Sequence, residues 1–250
     1  MTARTDRTDG TDSTDRTDST DRTAASAEAL VATRRAVHGL AEHVLAAHQR
    51  RLTRSIKLAV TPTGLRTARM PEGSGLALDG ATLLRESDGL AVPLTGPIGQ
   101  IARAAGVEFG LPEPPYRPAS NVGPEDPADV DPDVLELLLR AWRYGDEALR
   151  RLAARYAPGD LSNGTRVPAL VPVVWPEHLD VAITLDDVNY GVSPGDDQNP
   201  RPYAYVGPHE PRSGPFWNAP FGAHASLDEL ASADAVLAFF ERGRAETSQG

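Results

Sequence analysis

The runs Val181, Ile183, Leu185 and Val188, Tyr190, Val192 set apolar side chains at every second position. A period of two puts them on one face of a β-strand, and that face must be buried against another layer. Pro194-Gly195 marks a turn, and Tyr203–Val206 reads as the returning strand. The stretch therefore predicts a hairpin with a long polar connection.

A second alternating region lies upstream. Ile56, Leu58 and Val60 alternate with Lys57, Ala59 and Thr61. Turns at Pro62–Gly64, Glu72–Gly75, Asp79-Gly80 and Ser87–Gly89 then separate short strands at Leu65–Met70, Leu76–Leu78, Thr82–Arg85 and Leu90–Leu94. This is the pattern of an antiparallel meander, which buries one face and needs a cover. The helical stretch Ala25–Leu52, with Leu30, Val37, Ala41, Val44 and Leu45 at three- and four-residue steps, is the natural one.

Further helices follow the same logic. Ile98, Ile101, Ala102 and Ala105, between Pro97 and Gly106, predict a short helix. Asp131-Pro132 opens a long one, whose stripe of Leu135, Leu138, Leu139, Trp142, Leu149 and Leu152 runs toward Tyr156 before Ala157-Pro158-Gly159 stops it. Ser226 with Glu229 has the form of a capping box for a short helix, and Val236, Leu237, Phe239 and Phe240 mark a last one ending near Gly243. The expected class is α+β: antiparallel sheet or sheets with covering helices and a disordered N-terminal tail.

That tail is residues 1–24. Residues 5–22 are six Thr-Asp-x triplets without an apolar side chain, so nothing offsets the entropy of ordering them. Residues 25–110 form the helix and meander. Residues 111–130 form a linker or surface loop, since prolines at 112, 114, 115, 118, 124 and 127 forbid helix and central strand alike. Residues 131–246 carry the long helix, the hairpin and the terminal helices, packed with the first half as one unit or two close ones.

Composition removes several functions. A net charge of −10 opposes nucleic acid, whose binding draws on Lys and Arg. The chain has no cysteine and a single lysine, Lys57, which leaves no thiolate chemistry and almost no place for a Schiff base. No apolar run nears the ~20 residues that span a bilayer, and the start MTARTDRTDG lacks a hydrophobic signal core, so no membrane partner and a cytoplasmic location are expected. No motif names a cofactor or an oligomeric state.

Tempting motifs fail on physical grounds. Gly191–Gly195 matches GxSxG, but the residue after Ser193 is Pro194, which has no N–H for an oxyanion, and no helix follows. His38, His43 and His48 step by five residues, about 140° apart on an ideal helix, so they do not converge on one ion. The strongest chemistry sits in 172–222. His178 and Asp180 are the candidate acid–base pair, and were a metal bound, His178, Asp180, Asp187 and His209 would be its ligands. Trp175, Tyr190, Tyr203, Tyr205, Trp217 and Asn218 are the candidate lining of a small-molecule pocket. Small-molecule binding is the expected function, with a metal-assisted hydrolase or isomerase and a protein-interaction module as the other classes.

The succession WPEHLDVAI, NYGVSPGDD, PYAYVGP and FWNAPFGA resembles a group of bacterial proteins without assigned activity. The resemblance covers residues 172–222 and implies a shared compact domain, not a mechanism.

Overall fold

A computed structural model describes residues 14–156 and 169–248. The N-terminal helix is α1 (Thr14–Leu40), which widens into a π-helical turn (Ala41–Ala46) and continues as α2 (Ala47–Thr53). Residues 1–13, which include the first three Thr-Asp-x triplets, lie outside the described residues, as do the Ala157–Gly159 helix stop and Asn163-Gly164, a pair whose sequence reads as a tight turn.

Strands β1 (Leu58–Thr61), β2 (Gly64–Thr67), β3 (Leu76–Asp79), β4 (Thr82–Arg85) and β5 (Leu90–Pro93) form the expected meander. Helix α3 (Ile98–Ala104), the proline-rich segment and α4 (Pro132–Tyr156) follow. Asp131 Oδ1 accepts from the N–H groups of Asp133 and Val134, the N-cap its sequence position implied. The chain then makes β6 (Val173–Trp175), β7 (Asp180–Leu185), β8 (Val188–Ser193), β9 (Tyr203–Pro208) and β10 (Ala223–Ser226), and ends in α5 (Ala233–Ser248).

Both meanders belong to one antiparallel sheet. Its order is β10-β9-β8-β7-β6-β1-β2-β3-β4-β5, and the halves join where Leu58 of β1 pairs with Val174 of β6. Both halves also share one core: Leu45, Leu58, Leu65, Leu138, Trp142, Tyr190 and Phe240 are all essentially inaccessible. The Trp142 indole donates to Leu179 O at 3.0 Å, so its one polar atom is satisfied inside that core.

Three elements differ from the sequence expectation. The two alternating runs are separate strands, because Asp186 and Asp187 both take left-handed angles (φ 50° and 59°) and close a two-residue hairpin. That geometry suits primed turns, more often built from Asn-Gly than from two aspartates. The helix expected at Ser226 is absent: Ser226 pairs with Tyr203 in the ladder, and only a turn follows, with Glu229 and Leu230 bonding back to Ser226 O. Helix α5 runs past Gly243, where a Cβ would meet Val206 Cγ2 at 2.7 Å, so this glycine permits close packing rather than ending the helix.

Parity within β7–β9 creates two different faces. Val181, Val192 and Tyr190 turn toward α4 and α5: a Cβ on Gly145 of α4 would meet Val181 and Val192, and the Tyr190 ring packs edge-on against Phe240 at 5.8 Å. The alternate residues Asp180, Asn189, Gly191, Ser193, Tyr203 and Tyr205 occupy the other face.

Candidate functional site: a cavity on the polar face of β7–β9

On that face lies a cavity of about 690 Å³. Its floor is Asp180 of β7, Asn189 and Ser193 of β8, and Tyr203 and Tyr205 of β9. Arg34 and His38 of α1 supply one wall, the Glu177–Leu179 turn and Ala119 another, and Phe221 and the Pro194–Asp197 segment complete the rim.

Asp180 is the central group. The side chain is buried, its residue only 6% exposed, and the Tyr205 hydroxyl donates to Oδ2. Oδ1 has no hydrogen-bond partner among the described residues. Burial raises the Asp180 pKa above the ordinary carboxylate range, which the Tyr205 bond and nearby His178 only partly oppose. The Tyr205 phenol is pushed up as well, first by burial and then by the adjacent carboxylate. A buried acid with an unused oxygen carries a desolvation cost that a donor reaching that oxygen would relieve.

Glycine makes this pair possible. Gly191 pairs with Tyr205 across the β8–β9 ladder, and a Cβ at Gly191 would lie 2.5 Å from the Tyr205 ring and hydroxyl. The ring therefore lies over bare backbone, a close approach that only glycine allows.

Tyr203 is held differently. Its hydroxyl donates to Asp196 Oδ2 at 2.6 Å, while Asp196 Oδ1 accepts from the N–H groups of Gln198 and Asn199 at 2.7 Å each. Burial pushes the Asp196 pKa up, but these bonds outweigh it and leave the carboxyl below its usual value. Arg34 closes the segment from above, donating to Pro200 O at 2.8 Å and sitting 3.8 Å from Asp197.

The walls rest on buried polar contacts. His38 Nε2 lies 2.8 Å from Pro176 O, and since a carbonyl only accepts, this nitrogen carries the proton. Burial lowers the His38 pKa, opposed by the charge of Glu42, so the ring is neutral near pH 7. Glu42, in the π-helical turn and fully buried, accepts from Ala119 N and Ser120 N at 3.1 Å and from Ser120 Oγ at 2.6 Å. It thereby ties the proline-rich segment against the helix and sets Ala119 in the cavity wall.

The structure brings His178, Asp180, Tyr203 and Tyr205 to one cavity. His178 is largely exposed, at 4.0 Å from Glu177. His209 reaches the cavity's far rim, but its nearest acid is exposed Asp187 at 3.8 Å, and among the described residues no three His, Asp or Glu side chains form a group able to hold a metal ion. Trp175 lies elsewhere under the Lys57 ammonium, and Trp217 packs on Phe216 at 4.9 Å. Tyr190 faces the helices. Asn218 borders a neighbouring groove and clasps the His224 backbone through both amide atoms, at 3.0 and 2.9 Å.

Ser193 lies on the cavity floor, where its Oγ accepts from Gly195 N at 3.1 Å, and no helix follows it. The three helix histidines serve separate places: His38 binds Pro176 O, His48 binds Ser74 O, and His43 packs tilted against Phe109 with ring centroids 4.9 Å apart. Arg34 was not singled out by sequence reasoning. Its spacing from His38, four residues on one helix, is the signal that two polar side chains share a face.

No protein-family model matches the chain, and neither a curated protein nor a solved structure matches it.

Proposed function

We propose that this chain binds a small molecule in the cavity on the polar face of β7–β9, with Asp180 and Tyr205 as the recognition pair. The observation that carries the reading is Asp180 itself: a buried carboxyl lining the cavity, with one oxygen anchored by Tyr205 and the other without a partner. The volume, about 690 Å³, falls within the few hundred to a thousand Å³ of small-molecule sites, and tyrosines beside a few polar groups are the usual lining. An acid–base role belongs to the same site, because a carboxyl with a raised pKa beside a phenol can pass a proton to a bound substrate.

The test is a ligand screen by thermal shift over neutral, anionic and cationic small molecules, run on the wild type and on Tyr203→Phe. Hits that stabilise the native state and move the Tyr203 and Tyr205 ring resonances support the reading. Hits that leave both rings unmoved, or no hit in any charge class, would sink it.

A further inference from the structure

Resting on that cavity as a ligand site, we infer that the ligand presents a primary or secondary ammonium group, seated between Asp180 and the aromatic wall of Tyr203, Tyr205 and Phe221. Once ionised, Asp180 has Oδ1 free to accept from a donor, and its side chain is more than nine-tenths buried at the cavity floor. An N–H of an ammonium supplies one. Against the ionised carboxylate, an anionic ligand would bring like charge and an acceptor against an acceptor.

The charge around the cavity has the matching sign. Glu177, Asp180, Asp196 and Asp197 border it against one arginine, Arg34, which is already engaged by Pro200 O and Asp197. His38 on the same wall is kept neutral by burial. A concave surface lined by one sign of charge concentrates the opposite charge.

The rings add a third, independent preference. The Tyr203 centroid lies 6.4 Å from those of both Tyr205 and Phe221, and Phe221 is 42% exposed at the rim, an open aromatic surface. Aromatic faces attract cations within about 6 Å. A quaternary ammonium would satisfy the rings but leave Oδ1 without a donor, so an amine bearing N–H fits both.

Proton release accompanies binding. The titratable groups facing Asp180 are Tyr205 and Tyr203 from β9 and His178 and Glu177 from the turn before β7. Arrival of an ammonium favours the ionised carboxylate, and the Asp180 proton leaves to solvent. Binding of an amine should therefore tighten as pH rises through the acid range.

The experiment is calorimetry and thermal shift on the full chain with four probes sharing one body: 3-phenylpropylamine, its trimethylammonium derivative, 3-phenylpropan-1-ol and 3-phenylpropionate. Tyr203 and Tyr205 ring resonances are followed for each. The amine should bind most tightly, the quaternary ion less, and the carboxylate least. Asp180→Asn, which keeps an acceptor for Tyr205, should weaken the amine about tenfold or more, the scale of a hydrogen bond to a charged group. Phe221→Ala, at an exposed position, should weaken both cations about two- to fivefold, the scale of an exposed cation–π contact. If the alcohol or carboxylate binds as tightly as the amine and moves the same rings, the cationic ligand is overturned while the cavity stands. If none of the four moves either ring at millimolar concentration, both readings fall.

Discussion

Gly191 and Tyr205 face each other across the β8–β9 ladder, and the missing side chain of the first is the space occupied by the ring of the second. From that position the Tyr205 hydroxyl reaches across β8 to Asp180 Oδ2 on β7, two strands away. Three strands thus meet in one hydrogen bond.

Adding a methyl group at Gly191 should break this arrangement. Gly191→Ala places a Cβ 2.5 Å from the ring, and in a packed interior such an overlap costs about 1–3 kcal/mol. Urea denaturation should show that loss, and Tyr205→Phe, which strands Asp180 Oδ2 as well as Oδ1, should lose about 1–3 kcal/mol for an unsatisfied buried acceptor. Unchanged stability in both variants would mean the pair is not formed.

Asp180→Asn should be more stable than the wild type at neutral pH. The folded-state pKa of Asp180 is raised, so the folded chain holds a proton that the unfolded chain releases. The stability that Asp180 contributes is then fully present below the ordinary carboxylate pKa near 4 and is lost as pH rises through the raised value. The variant has no such decline. Denaturation curves at pH 4 and pH 8 should therefore coincide more closely at the lower pH and separate at the higher; a variant less stable at pH 8 would contradict the burial of this acid.

Gly145→Ala tests the opposite face of the same strands. In an exposed helix interior the change would gain about 1 kcal/mol. Here the new Cβ would lie 2.7 Å from Val181 Cγ1 and 2.9 Å from Val192 Cβ, so overpacking by about 1–3 kcal/mol wins and the thermal midpoint should fall. A rise would show that α4 does not approach the sheet so closely.

Glu42→Ala should release the proline-rich segment. It leaves Ala119 N, Ser120 N and Ser120 Oγ without their acceptor, each buried group costing about 1–3 kcal/mol where water cannot reach it. Limited proteolysis should then cut within 111–131 in the variant and spare that segment in the wild type.

Acid should weaken the fold through His38 and His43. Burial lowers both pKa values, and a base with a depressed folded-state pKa contributes stability above its unfolded pKa near 6.5 that is lost as pH falls through the folded value. Denaturation followed from pH 7 to pH 5 should show a fall in stability that His43→Phe reduces. The aromatic substitute keeps the contact with Phe109 while removing the proton site.

Much of the fold was legible because it is written in local periods. The five-strand meander, the proline-broken segment and the N-cap of α4 all follow from residues within a few positions of one another. Strand parity even held a clue about the site that pooling the aromatic residues hid. Tyr190 shares parity with Val188 and Val192, so it had to face the core, whereas Asn189, Gly191 and Ser193 had to face away. The Asp186-Asp187 turn was illegible for a different reason: two aspartates carry only a weak left-handed preference, and the flanking strands decide the angles.

The sequence by itself determined an α+β chain with a sheet patterned for one apolar face, and it marked His178, Asp180, Tyr203 and Tyr205 as chemically rich. Only the tertiary structure decided that Tyr205 would reach Asp180, 25 residues away, and that Arg34 would close over Pro200, 166 residues away. Periodicity reports which way a side chain points relative to its own strand or helix. Which other side chain it meets depends on strand order, register and the burial of both partners together, and those are properties of the packed sheet rather than of any stretch within it.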